Sequence, residues 1–226
     1  MVQNTGCIKG LCAAIGKKMM KRIFEFFNLI VFITMMAVVI TSCNSSTSSS
    51  VNKTDELIDS LIQIEKLTDQ TIIMRFGGEA VTAILTQEGI VVVDAGMAAG
   101  LTSHYRKLIE KEFHRNDVAM LFITHGHHDH FGGSSVFNDA TVVAHEHCKN
   151  AMATRWQYPE KVKSNLQKII NEYDRNLDTL DYKSEEWFEN FETRVRFQSA
   201  YEDIMNNRQA KLPDITFTDT LSIKMI

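Results

Sequence analysis

The sequence predicts an α+β fold in which a sheet comes first and helices follow. Short β-favouring runs, punctuated by glycine and small polar residues, fill the stretch from Thr71 to Ala144. Apolar residues at helical spacing fill the stretch after Ala153. The composition agrees: 44% hydrophobic and 23% charged residues, with only 2 Pro and 11 Gly, exclude collagenous, proline-rich and largely disordered chains.

Taken in order, Thr71–Phe76 and Val81–Thr86 flank Gly77-Gly78-Glu79, which reads as a hairpin turn. Gln87-Glu88-Gly89 makes the next turn. Ile90–Val93 is wholly apolar and reads as a strand buried on both faces, ended by Asp94-Ala95-Gly96. Leu101, Tyr105, Leu108 and Ile109 give Ala98–Phe113 a helical face. Val118–Ile123 is a second buried strand, and Thr141–Ala144 is strand-like. Pro159 suits a first helical turn, and Val162, Leu166, Ile169, Tyr173, Leu177 and Leu180 then mark one helix face. Ser184 is placed to cap a second helix, with Glu185 and Glu186 at the positive end of its dipole and Trp187, Phe191 and Val195 on its buried face. Pro213 closes the helical segment, and Ile215–Met225 returns to strand.

The N-terminus reads as an address. Met19-Met20-Lys21-Arg22 opens a basic segment, Ile23–Ile40 is mostly apolar, and Ile40-Thr41-Ser42-Cys43 precedes a serine-rich run. A cysteine after a small pair resembles the lipobox of bacterial lipoproteins, which implies cleavage before Cys43 and diacylglycerol on its sulfur; an uncleaved transmembrane anchor is the competing reading, since about 18 residues can just span a bilayer. Acyl chains bury CH2 groups at roughly 0.8 kcal/mol each, so several hold a protein to a lipid bilayer. The resulting organisation is an upstream extension at 1–18 (from a misjudged start codon), a signal peptide at 19–42 and a tether at 43–54. A partial domain at 55–226 follows, with a helical insert at 155–212. By the same resemblance, Asn44 after the cysteine favours the outer membrane, so the protein is expected in the cell envelope, facing periplasm or cell surface.

Outside residues 1–42 the chain holds 19 basic against 27 acidic residues. An acidic body without a basic stripe repels a phosphate backbone, which excludes nucleic acid as a partner. Cys148 is the only cysteine beyond Cys43, so the folded part has no internal disulfide to form.

The chemistry is concentrated at Thr124–Gly133, where His125, His127, His128, Asp129 and His130 fall within six positions. Imidazole and carboxylate are usual zinc donors. In an extended loop His125 and His127 point the same way, while Asp129 and His130 turn toward a neighbouring position, so one loop can serve two ions. The loop leaves Val118–Ile123 at a strand's carboxyl end, where open sheets build sites. Gly132-Gly133 is read as permitting a tight turn. His104 and His114 are read as solvated, His145-Glu146-His147-Cys148 as a loop or helix start, and Cys148 as a thiol without a base.

This segment resembles the metallo-β-lactamase superfamily, whose His-x-His-x-Asp-His motif matches at His125, His127, Asp129 and His130. Val91-Val92-Val93-Asp94-Ala95-Gly96 resembles the family's preceding strand and aspartate. The resemblance implies an αββα sandwich, with His125 and His127 on one metal and Asp129 and His130 on a second. It also implies that Asp94 steadies the loop from behind and that His128 binds no metal. The implied cofactor is zinc, two ions in the complete enzyme, with iron or manganese as alternatives. The implied reaction is hydrolysis of an ester, thioester, lactam or related bond in a small-molecule substrate by metal-bound hydroxide, since a metal lowers the pKa of bound water from 15.7 to about 7. Asp129 would orient that nucleophile. The family completes its site with a later histidine, a bridging aspartate and a final histidine, whereas no histidine follows His147. The expectation is therefore the first half of the sandwich plus a helical insert, truncated, and weakly active or inactive alone. An iron-dependent redox member and a non-catalytic lipoprotein remnant are the competing readings.

Overall fold

Two glycines set one hairpin corner of the sheet. Gly77 and Gly78 adopt φ of +52° and +86°, which side-chain-bearing residues rarely take, and they close a two-residue turn with Phe76 paired to Glu79. The computed structural model describes residues 53–154 and 159–224. The chain divides into Met1–Glu56 and Leu57–Ile226. Of the first unit only residues 53–56 are described, as helix. The extension, the signal segment and the proposed lipidation site Cys43 lie outside the described residues.

Residues 53–61 are helical (α1). A seven-stranded sheet follows: β1 Gln63–Thr68, β2 Thr71–Phe76, β3 Glu79–Thr86, β4 Gly89–Val93, β5 Val118–Ile123, β6 Thr141–His145 and β7 Ile215–Phe217. Spatial order equals chain order. The pairs from β1 to β4 are antiparallel, joined by tight turns, and those from β4 to β7 are parallel. Parallel neighbours need long connections. Here they are α2 (Ala99–Phe113), a short helical turn α3 (His128–Phe131), and the helices α4 (Glu146–Thr154), α5 (Pro159–Thr179) and α6 (Glu185–Met205).

One sheet face carries Ile72, Met74, Phe76, Val81, Ala83, Ile90, Val92, Leu121, Ile123, Val142 and Ala144 into a core. Leu101, Tyr105, Ile109 and Phe113 of α2 and Val195 of α6 complete it. On the opposite face Ile73, Thr82, Ile84, Val93, Met120 and Phe122 are half-buried. Strand β4 is buried on both faces, at Val91 as well as Ile90 and Val92, as its apolar run predicts, while β5 is half-buried on this second face. Buried Asp203 of α6 accepts from Ala99 N at 2.8 Å, supplying the cap that Ala98 cannot give α2. Ser184 caps α6 as its spacing predicts, accepting from Trp187 N at 3.1 Å.

Three expectations need correction, and two elements are new. Strand β1 and helix α1 were not anticipated, because β1 is exposed at every position and offers no apolar alternation. On α5 the most buried side chains are Leu166 and Ile170, not Ile169. The final strand stops at Phe217, because its partner β6 ends at His145, where α4 begins. His104 is not solvated: its Nδ1 lies 2.7 Å from Asp59 Oδ1 of α1, with the ring 15% exposed.

Candidate metal centre

Every residue of the cluster sits at the carboxyl ends of the parallel strands. Asp94 follows β4, Thr124 follows β5 and His145 ends β6. Asp94 holds a left-handed conformation, φ +63°, while its amide donates to Phe122 O at 2.8 Å, so β4 is still tied to β5 where the chain turns away. Its carboxylate then faces the loop. Thr124 N donates to Asp94 Oδ1 at 2.8 Å, and the Thr124 hydroxyl lies 2.9–3.0 Å from both carboxylate oxygens. His130 Nδ1 is 2.8 Å from Asp94 Oδ2.

The loop is not extended throughout. His127 is the last extended residue, and His128–Phe131 form a single helical turn, so Asp129 and His130 project from a helix, not from a strand-like segment. His125 and His127 do approach one another: His125 Nε2 lies 3.0 Å from His127 Nδ1. The rings of His125 and His130 are 4.0 Å apart between centroids. His130 Nε2 is 3.7 Å from Asp129 Oδ2. His128 turns toward Phe131, ring to ring at 5.3 Å.

What holds this turn in place is steric. Gly132 and Gly133 have ordinary negative φ, −55° and −85°, so they are not needed for a tight turn as the sequence suggested. They are needed for space. A Cβ on Gly132 would lie 1.8 Å from Met97 O, and one on Gly133 1.8 Å from Thr102 Oγ1. The turn after β4 is bonded directly to the cluster: Ala95 N donates to His130 O at 2.7 Å and Gly133 N to Gly96 O at 3.3 Å.

The donor set suits a divalent metal in kind. Two ligands each about 2.0–2.1 Å from one zinc ion stand close to the 3.0 Å observed between His125 Nε2 and His127 Nδ1. Among the described residues no group of three or more donors closes around a single position. The fit is therefore pairwise.

Neighbouring groups contribute less. His145 and His147 are 5.0 Å apart, but His145 is engaged at both nitrogens, with Thr218 O and the His147 amide. Cys148 is buried in α4, and burial, helped by the charge of Asp94, pushes its thiol up to about 11. A thiol so placed is not a nucleophile at neutral pH. Sequence reasoning missed Thr124, although it is the polar residue standing between the buried strand and the first histidine.

The fold and the site define an α/β protein with a histidine–aspartate loop on the carboxyl edge of its sheet. Residues 74–197 match the model of the Metallo-beta-lactamase superfamily, and the chain belongs to that superfamily. Its fold is metallo-β-lactamase-like, and the superfamily consists mostly of metal-dependent hydrolases that usually bind zinc. No curated protein matches this chain. Among solved structures it is similar to a metallo-β-lactamase from Hirschia baltica, at 14% identity and TM-score 0.37 over 42% of this chain and 48% of that one. It is also similar to a metallo-β-lactamase from Pontibacter korlensis, at 22% identity and TM-score 0.36, with the same coverages. The chain thus spans about half the length of these two relatives.

Proposed function

We propose that this chain carries a zinc-dependent hydrolase site of dinuclear plan, acting on an ester, thioester, lactam or related bond in a small molecule. The observation that carries the reading is the approach of His125 Nε2 to His127 Nδ1, 3.0 Å apart, beside a His130 ring tethered through its other nitrogen. His125 and His127 would hold one ion, and Asp129 and His130 a second. When bound, the metal supplies Lewis acidity and a water acidic enough to attack a carbonyl at neutral pH.

The chain's own residues prepare the rest. Asp94 accepts from His130 Nδ1–H, which leaves Nε2 as the lone-pair donor and fixes the plane of the ring. The same carboxylate accepts from Thr124, so the loop's first residue and its last histidine share one anchor. Asp129, half-buried, would orient a water and hold its proton. His128, turned toward Phe131, takes no part.

The test is metal analysis of purified protein after dialysis, combined with a screen of ester, thioester and β-lactam substrates. Retained zinc with turnover supports the hydrolase. Retained iron without turnover replaces it with a redox centre, and no retained metal with no turnover leaves a non-catalytic remnant.

For location, we infer attachment to the cell envelope by acyl chains on Cys43, supported by Ile40-Thr41-Ser42-Cys43 alone. Among the described residues no helix is long and apolar enough to cross a membrane.

A further inference from the structure

The hairpin corner, the turn after β4 and the helix α6 meet at one buried carboxylate. Glu79, the first residue of β3, has a side chain only 1% exposed, and that of Arg196 on α6 is 11% exposed. Arg196 Nε donates to Glu79 Oε2 at 3.2 Å, and the same guanidinium donates to Gly77 O. Glu192, one turn earlier on α6, accepts from Gly77 N at 2.9 Å. The remaining contacts of Glu79 reach α2 and the turn after β4. Tyr105 OH donates to Oε1 at 3.0 Å, and the amide of Met97 donates to Oε2 at 3.1 Å.

Gly96 lies against this carboxylate so closely that a Cβ there would stand 2.7 Å from Glu79 Oε1. The far side of the same backbone carries the cluster: Ala95 N holds His130 O, Gly96 O holds Gly133 N, and Met97 O is packed on Gly132. One thickness of main chain separates the Glu79–Arg196 pair from the histidine turn.

A buried ion pair is a poor device for stability alone, because apolar residues of similar volume often serve as well or better. What they cannot supply is an acceptor fixed at the Met97 amide. We propose that Glu79 and Arg196 are positioning residues, through which α6 fixes the turn at residues 94–97 and, across it, His130 and Gly133. The consequence for metal affinity rests on the proposed metal site. The consequence for the His130–Asp94 bond does not.

The experiment uses the full chain in three forms: wild type, Glu79→Gln, and Glu79→Leu combined with Arg196→Met. The double variant keeps apolar volume and removes both charges, while the glutamine keeps an acceptor without the ion. Two readouts are taken: Co2+ affinity from visible absorption, and the NMR signal of the His130 Nδ1 proton in metal-free protein. Positioning predicts a folded double variant whose Co2+ affinity falls by about tenfold or more. Its His130 proton signal moves or disappears, and Glu79→Gln lies between the two. A folded double variant with wild-type affinity and an unmoved His130 signal overturns the proposal. If wild type takes no Co2+, the metal reading fails and the His130 signal alone decides. If the double variant does not fold, Glu79→Gln decides by the same two readouts.

Discussion

The ring of His130 is bound to the carboxylate of Asp94, Nδ1 to Oδ2 at 2.8 Å, across 36 positions of sequence. The bond joins the end of one strand to the helical turn that leaves the next. Because Asp94 also accepts from both hydrogen-bond donors of Thr124, its amide and its hydroxyl, a single side chain governs where the loop starts and how its last histidine is turned.

Asp94→Asn should therefore separate fold from site. Asparagine tolerates the left-handed backbone at this position and keeps one acceptor. It cannot serve Thr124 and His130 together as the carboxylate does. Zinc affinity should fall by roughly 10–100-fold with little change in secondary structure by circular dichroism. An Asn variant with wild-type affinity would remove Asp94 from the site.

The register of the cluster can be read from three substitutions. His127→Ala should lower metal content. Asp129→Asn should lower turnover more than content at the first position. His128→Ala should change neither, since its ring is turned to Phe131. Metal per protein and substrate turnover measured side by side decide this, and a His128 variant as depleted as the His127 variant would shift the ligand assignment.

Gly133→Ala and Gly132→Ala should destabilise by roughly 1–3 kcal/mol or more, because the new methyl group meets atoms 1.8 Å away in each case. Gly100→Ala is the control: its Cβ would meet only the Ser199 side chain, at 3.3 Å, and helix propensity favours alanine by up to about 1 kcal/mol. Chemical denaturation of the three variants checks the order.

Asp59 makes a pH prediction. Burial raises its carboxyl, but hydrogen bonds from Lys107 and His104 outweigh this and hold it below the ordinary value of 3.8. A carboxyl lowered on folding stabilises fully above its unfolded pKa, and that stability is lost as pH falls through the folded value. Lys107 is largely exposed, so the pair contributes on the order of 0.5–1 kcal/mol. Asp59→Asn should melt below wild type at pH 6, and the gap should close as pH falls below 3.8. A gap that widens in acid would contradict the assignment.

Cys43→Ala should release the protein from membranes or leave an uncut precursor, as seen by fractionation and mass spectrometry. Acylated, membrane-bound material from that variant would refute the anchor.

The sequence shows some of this architecture openly and hides the rest. Strands β2 to β6 and helix α2 were legible because apolar alternation, Gly-Gly and short apolar runs are local signals. The cluster was legible because its donors are adjacent in sequence. Glu79 and Arg196 were not, since a pair 117 positions apart leaves no local pattern. Nor was the reason for Gly132 and Gly133: their neighbours Met97 and Thr102 come from another segment, and crowding between segments is invisible in one dimension. His104 misled for the same reason, its partner lying on a helix that charged residues disguise.

Strand β1 closes one side of the described sheet, and all six of its residues face water. An unpaired strand edge is a template on which another chain can grow. Here the edge carries Glu65 and Lys66 on successive positions, and its register slips between Lys66 and Thr68. Incoming backbone would have to desolvate both charges and would find the hydrogen-bonding rhythm interrupted within three residues. Neutralising the pair, as in Glu65→Val with Lys66→Val, would turn the strand's exposure from a safeguard into a route to fibrils.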